Sequence, residues 1–151
     1  MLYKFLKTSI SNFDSFSYNF AEDESDGEVL ELVIKNKKYC LPTYSQELYY
    51  EEDKILVINL WNKIVFFSSE SGKILFYSGL LNSFVGIESI DYYFVIITET
   101  TVFKLNKSLN FVYDFLSFPY IIKDYRLSSS KSKLTIKFVD EENEDDVLLD
   151  L

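Results

Sequence analysis

A repeated unit of short apolar strands and tight turns limits the fold of this chain more than any other feature of its sequence. The clearest copy has runs of β-branched and aromatic residues at 54–60, 63–67 and 73–77, divided by the turns Trp61-Asn62 and 69–72. Hardly any stretch shows helical spacing, and the composition of the runs is that of strands. The sequence therefore predicts an all-β chain built from antiparallel hairpins.

The unit recurs at intervals of about 40 residues. Copies begin at Lys54, Tyr92 and Lys133, which are 38 and 41 residues apart, and an earlier copy outside this spacing begins at Glu28. Repeats of this length with up to four strands each are typical of propeller blades, in which each small sheet buries its faces on its neighbours. The chain thus resembles a β-propeller over nearly its whole length, although the Gly-His and Trp-Asp signatures of WD repeats are absent. A β-sandwich or meander with regular hairpins is the alternative.

The hydrophobic pattern differs between the middle and the outer copies. The middle copies have continuous apolar strands, at 55–58 and 92–97, which indicates sheets covered on both faces. In the outer copies apolar residues alternate with polar ones such as Glu31 and Lys137, which indicates one face in solvent. We therefore predict a single domain, residues 1–151, forming an open half-propeller of about four blades with incomplete terminal blades.

The residue inventory argues against most catalytic and cofactor chemistry. With His 0 and Cys 1, the chain has no imidazole base, no Cys-His pair, no internal disulfide and no multi-Cys zinc site. Its four glycines do not have the spacing of nucleotide-binding loops. We therefore predict no catalytic residue, no metal and no cofactor, and we expect Cys40 to be a buried apolar residue. Carboxylate pairs such as Glu51-Glu52 leave a carboxylate-based enzyme as the less favoured alternative.

Charge and hydropathy narrow the class of partner. The formal net charge is -9, which disfavours nucleic acid because polyphosphate is repelled. No window reaches the run of about 18 apolar residues that a membrane span needs. We therefore expect a cytoplasmic protein that binds neither nucleic acid nor membrane, and the unpaired Cys40 fits that compartment.

The candidate partner-binding residues lie in turns predicted for one face of the propeller. Trp61, the one Trp of the chain, shares a two-residue turn with Asn62, where an aromatic anchor for a partner would be placed. A ring folded over the neighbouring blade is the alternative for Trp61. The same face is predicted to carry the turn Asn36-Lys37 and these acidic residues: Glu99, Asp140, Glu141, Glu142, Glu144, Asp145 and Asp146.

The opposite face is predicted to carry the acidic segment 22–27 and the turn 69–72. Runs of acidic residues are commonly solvated loops, which is the alternative for both acidic segments. Reading Gly27 as part of a calcium loop fails, because Val33 then stands where the bidentate Glu is needed. We therefore assign no metal, and of the two acidic segments only 140–146 is interpreted as part of the interaction surface.

Size, acidity and missing catalytic residues make the chain similar to immunity proteins of bacterial toxin systems, including contact-dependent inhibition. That resemblance implies a non-catalytic module that binds and neutralises a basic toxin domain such as a nuclease. The alternatives are an adaptor, an acidic DNA mimic and a propeller subunit that closes a ring with a copy of itself. We expect a monomer, with a dimer formed by ring closure as the alternative.

Overall fold

A computed structural model of the chain describes residues 3–9, 15–21, 27–110, 112–139 and 146–151. The described residues form 15 strands in four sheets, so the prediction of an all-β fold is confirmed. Two compact units divide the chain, Met1–Gly79 and Leu80–Leu151, and the single domain stays a prediction. Nowhere in the described ranges is there a helix long and apolar enough to cross a membrane.

The first unit contains two four-stranded sheets. One sheet is a consecutive antiparallel meander in the order β5-β6-β7-β8, and the other has the order β1-β3-β4-β2, with β2 parallel to β4. The strands are β1 (Tyr3–Ser9), β2 (Tyr18–Asn19), β3 (Glu28–Ile34), β4 (Lys37–Leu41), β5 (Gln46–Tyr50), β6 (Ile55–Asn59), β7 (Lys63–Ser68) and β8 (Ile74–Gly79).

The second unit contains a four-stranded and a three-stranded sheet. The first is again a meander, in the order β12-β11-β10-β9, and the second has the order β13-β14-β15. The strands are β9 (Phe84–Ser89), β10 (Tyr93–Thr98), β11 (Thr101–Asn106), β12 (Val112–Ser117), β13 (Ile122–Leu127), β14 (Lys133–Phe138) and β15 (Val147–Asp150). Four small sheets, antiparallel except for the pairing of β2 with β4 and each open at both edges, confirm the predicted blade-like architecture.

Each unit has its own apolar core between its two sheets. In the first unit Leu32 and Leu41 pack with Leu56 and Phe67, and in the second unit Ile97 belongs to a cluster of sheet residues that includes these: Ile122, Leu134 and Ile136. All residues of β6 are buried, so its two faces are both covered, as the continuous apolar run predicts. In β14 the buried residues alternate with partly or fully exposed ones, which confirms the pattern predicted for the last copy.

Five strands lie outside the runs that the sequence analysis assigned to strands: β1, β2, β5, β9 and β13. Each of them is at an edge of its sheet. An edge strand pairs on one side and exposes many side chains, so its sequence carries charged residues and lacks the continuous apolar run of a central strand. The five additional strands complete the blades to three or four strands each.

The assignment of turns to faces is wrong for the first copy. The turn between β3 and β4 lies beside the turn 69–72, because a Cβ on Gly72 would come within 2.6 Å of the Ile34 carbonyl oxygen. It therefore lies away from the Trp61 turn, contrary to the placement of Asn36-Lys37. The repeat pattern treats β3 and β4 as the middle two strands of a blade. In the structure β1 pairs with β3 and β4 leads directly into β5 of the next sheet, so β3 and β4 are the last two strands of their sheet in chain order.

Tyr125 occupies the space above a glycine in the second unit. A Cβ on Gly86 would lie 2.3 Å from Cε1 of the Tyr125 ring, so β9 accepts this ring because position 86 has no side chain. Burial, with the nearby Glu88 carboxylate as the next cause, raises the pKa of Tyr125 to about 12 from the ordinary 10.0. The neutral phenol is therefore the form that the folded protein favours.

We expect the free energy of unfolding to fall as the pH rises from about 10 to about 12. In this range the folded state keeps the Tyr125 proton that the unfolded chain releases, so raising the pH favours unfolding. Urea unfolding at several pH values checks this with Tyr125→Phe as the control, because other tyrosines and lysines titrate in both proteins. The free energy of unfolding of wild type minus that of Tyr125→Phe should fall over that range, and a constant value would contradict the assignment.

Candidate binding site

The connection between β6 and β7 is a tight turn with Trp61 at its centre. The Asn62 N–H donates to the Leu60 carbonyl oxygen at 2.9 Å, and Trp61 has φ 71. A hydrogen bond across one residue of positive φ defines the rarer and strained form of the γ-turn. The turn directs the indole outward, and Trp61 is 65% exposed. The predicted exposed aromatic in a two-residue turn is therefore present at Trp61.

A buried amide supports this turn from the end of β6. Asn59 is 7% exposed, and its Oδ1 accepts a hydrogen bond from the Trp61 N–H at 2.8 Å. Its Nδ2 donates to Gln46 Oε1 at 3.3 Å, on the neighbouring strand β5. Asn59 therefore connects the turn to the sheet, and an Asn two residues before the turn residue it caps is the sequence signal for such a contact.

Trp61 and Asn62 form part of the wall of a groove with a volume of about 540 Å³. Three chain segments contribute to it: the residues after β2, the β4–β5 connection and the β6–β7 turn. Most of the described lining residues are apolar or aromatic, and Lys63 is the charged residue among them. The volume falls in the range of ligand pockets and suffices for a few side chains of a partner. The lining residues are Phe20, Ala21, Pro42, Tyr44, Leu60, Trp61, Asn62 and Lys63.

The wall opposite the turn is held by backbone and ring contacts. The Phe20 N–H donates to the Cys40 carbonyl oxygen at 2.8 Å, which fixes the segment after β2 alongside β4. The Phe20 ring packs edge-on against Phe67 and Tyr77, at centroid distances of 6.2 and 5.3 Å. Phe20 therefore joins the groove to the core of the first unit, a role that the sequence analysis missed because β2 is only two residues long.

Tyr44 is the second exposed aromatic of the groove. It lies in the β4–β5 connection, which is closed by the Ser45 N–H and Oγ–H, both donating to the Pro42 carbonyl oxygen at 3.1 and 2.7 Å. This connection leaves Tyr44 exposed. An aromatic residue in a short turn was the signal that singled out Trp61, and the same signal would have found Tyr44.

The other predicted site residues belong to the second unit or lie outside the described residues. Glu99 is half-buried, and its carbonyl oxygen accepts a hydrogen bond from the Ile122 N–H at 2.6 Å. The Val139 N–H donates to the carbonyl oxygen of Ile121, the residue directly before Ile122, at 2.9 Å. The Glu99 turn and the chain entering the acidic loop therefore lie at one end of this unit.

Asp146 is exposed directly before β15. Five of the predicted site residues lie outside the described ranges: Asp140, Glu141, Glu142, Glu144 and Asp145. Trp61 and Asn62 are thus brought together with the groove residues of the first unit, and Glu99 lies at the same end of the second unit as Val139. The assignment of both groups to one binding surface stays a prediction.

The described residues of the site offer aromatic and amide groups. In the part of the chain that the structure describes, no group of three or more His, Cys, Asp or Glu could hold a metal ion. Cys40 is buried, as predicted, and burial, followed by the charge of Glu31, raises the pKa of its thiol. A thiol with a raised pKa is a poor nucleophile, because the thiolate is the reactive form.

No protein family matches the chain, and no curated protein does. Among solved structures 26 chains match. One is the crystal structure of HIRA(644-1017), with a TM-score of 0.43 and 11% sequence identity. The match covers 98% of this chain and 53% of that one, so the chain spans about half the length of the solved structure.

Proposed function

We propose that this chain is a non-catalytic protein-binding module that binds a basic protein partner through the Trp61 groove. The observation that carries the proposal is Trp61 itself, which is 65% exposed at the rim of an apolar groove. An exposed Trp beside a pocket is the usual composition of a binding hot spot. Glu99 and the acidic residues 140–142 and 144–146 are proposed as further contacts of the same partner.

The charge of the chain supports a basic partner. A formal net charge of -9 attracts a cationic protein over a distance of several ångströms and accelerates encounter more than it deepens affinity. Among the described lining residues, Tyr44, Leu60 and Trp61 offer apolar contact rather than negative charge. We therefore assign steering to the acidic surface and retention of the bound partner to Trp61 and its apolar neighbours.

The finer proposal is an immunity protein that acts in the cytoplasm as a monomer and neutralises a basic toxin domain such as a nuclease. Its support is the acidity and the lack of His in this sequence. An adaptor or a self-associating subunit is the alternative. Light scattering on the purified chain separates a monomer from a ring-closing dimer. A neighbouring gene for a long exported protein with a variable C-terminal domain would favour immunity, and a metabolic operon would count against it.

Binding kinetics with the co-purified or genetically linked partner test the proposal. Trp61→Ala should raise the dissociation rate by about 30-fold, the equivalent of about 2 kcal/mol, because it removes the anchor. Tyr92→Ala is the matched control, since Tyr92 is an even more exposed aromatic in a tight turn of the second unit. Equal effects of the two substitutions would remove the Trp61 groove from the binding site.

The charge argument is tested separately, by neutralising Asp140, Glu142 and Asp145 together. The association rate should fall and its salt dependence should flatten, because fewer charges then steer the partner. Neutralising Glu22, Asp23 and Glu24 is the comparison variant. Ala21, directly before them in the chain, lines the Trp61 groove, which disagrees with the prediction that the segment 22–27 belongs to the opposite face. A loss confined to this comparison variant would overturn the assignment of Glu99 and the 140–146 loop to the binding surface. An acidic partner, or turnover of a small substrate, would overturn the proposed function itself.

A further inference from the structure

We infer that the strained backbone of the β6–β7 turn holds Trp61 in one conformation, ready for a partner, and that Asn59 is the positioning residue of this turn. The inference rests on the proposed function, because the partner is what the indole is held for. It adds a mechanism to that function: the free protein is less stable than it could be so that the anchor is fixed before binding.

The strain is in the backbone of Trp61. Its φ of 71 lies in the left-handed region, where the Cβ of a bulky residue collides with its own backbone. Glycine has no such collision and adopts this conformation readily. A turn under selection for stability alone would therefore have Gly, Asn or Asp at this position.

Burial of the side chain does not offset the strain. Trp61 is 65% exposed, whereas an aromatic that contributes to a core buries most of its ring. Strained backbone is characteristic of functional sites, where the surrounding structure enforces it. The Trp61 turn has both properties, an unfavourable backbone and an exposed large aromatic, which together indicate a role outside the stability of the free chain.

The enforcing contacts come from Asn59. Its Oδ1 accepts from the Trp61 N–H at 2.8 Å, and the opposite end of the same amide donates to Gln46. Because Asn59 is almost completely buried, its side chain has little freedom to turn away. The amide thus fixes the direction in which the chain enters the turn. Holding an anchor in one conformation lowers the ordering cost when a partner binds.

The first test compares Trp61→Gly with Trp61→Ala in thermal unfolding of the free chain. Both remove the indole, but only glycine relieves the strain. We expect Trp61→Gly to melt about 3 °C above Trp61→Ala, although glycine is otherwise the more destabilising residue. The matched pair is Tyr92→Gly and Tyr92→Ala, at an exposed aromatic that is absent from the positive-φ residues, where the order should be reversed. An alanine variant at 61 as stable as the glycine variant would overturn the inference.

The second test uses the fact that Trp61 is the one Trp of the chain, so fluorescence excited at the red edge of indole absorption, where tyrosine does not absorb, reports on this turn. Asn59→Thr keeps a side-chain oxygen that can accept from the N–H two residues on, and Asn59→Val has nearly the same shape without it. Fluorescence anisotropy of the indole should stay close to wild type in the Thr variant and fall in the Val variant. Equal anisotropy in the two would remove Asn59 from the role of positioning residue.

These measurements need no partner, so they separate the two proposals. If Trp61→Ala leaves partner binding unchanged while Trp61→Gly is the more stable variant, the turn is strained and the proposed function is wrong. If Trp61→Ala loses binding but has the same melting temperature as Trp61→Gly, the proposed function holds and the inference of a strained turn is overturned. Should Asn59→Val fail to fold, the Trp61 pair still decides, because it leaves Asn59 intact.

Discussion

Val57→Asp and Val95→Asp are each expected to unfold the protein. Both valines are 0% exposed, on central strands whose neighbouring side chains are also buried. An aspartate at either position would have to be buried without a partner or be protonated, and either outcome destabilises the fold. The loss should exceed about 4 kcal/mol, which is most of the stability of a typical domain.

The control for these substitutions is Lys137→Asp, on the exposed face of β14. Asp124 is directly opposite Lys137 in the pairing of β13 with β14, so the variant places like charges across the ladder. Such a pair should cost less than about 1 kcal/mol. Circular dichroism and urea unfolding measure all three variants, and similar tolerance at 57, 95 and 137 would show that the buried and exposed faces are misassigned.

Gly72→Ala is expected to cost about 3 kcal/mol, through backbone strain and a collision with backbone. Gly72 has φ 66, and its added Cβ would lie 2.6 Å from the Ile34 carbonyl oxygen, which cannot move without displacing β3. The Gly72 carbonyl oxygen also accepts a hydrogen bond from the Tyr39 hydroxyl at 2.5 Å. Displacing the turn would therefore leave a buried hydroxyl without its acceptor.

Two other glycines separate the two causes. Gly27 has φ 71, and no atom of the described residues lies within 4 Å of an added Cβ, so Gly27→Ala measures the backbone strain, about 1 kcal/mol. Gly79 has neither feature, and Gly79→Ala should be neutral or slightly stabilising. Urea midpoints of the three variants should rank in the order 79, 27, 72. Equal midpoints for 72 and 27 would show that the turn 69–72 does not pack on β3.

The strands predicted from the sequence are those in which the hydrophobicity of consecutive residues indicates which side chains are buried. β6 and β10 are continuous apolar runs, and β14 alternates Leu134 and Ile136 with more polar residues. In a strand, successive side chains point to opposite faces, so a local run of residues is enough to tell one covered face from two. For the same reason Cys40 could be assigned to the interior from its apolar neighbours.

Only the tertiary structure decided where the ends of the strands meet. β2 adds to the far edge of its sheet, parallel to β4, and thereby places Phe20 beside residues about 20 and 40 positions away along the chain. No local pattern encodes such a pairing, because two residues of strand carry almost no periodicity. For this reason the groove around Trp61 could not be derived before the structure.

The sequence by itself determined an all-β chain, its central strands, its acidity and the presence of one Trp in a tight turn. These properties depend on composition and on neighbours along the chain, so local sequence patterns are sufficient to predict them. The tertiary structure decided the edge strands, the lining of the groove, the φ of Trp61 and the contact from Asn59. Those properties depend on which distant segments pair, and pairing is selected by the free energy of the whole sheet rather than by any one segment of it.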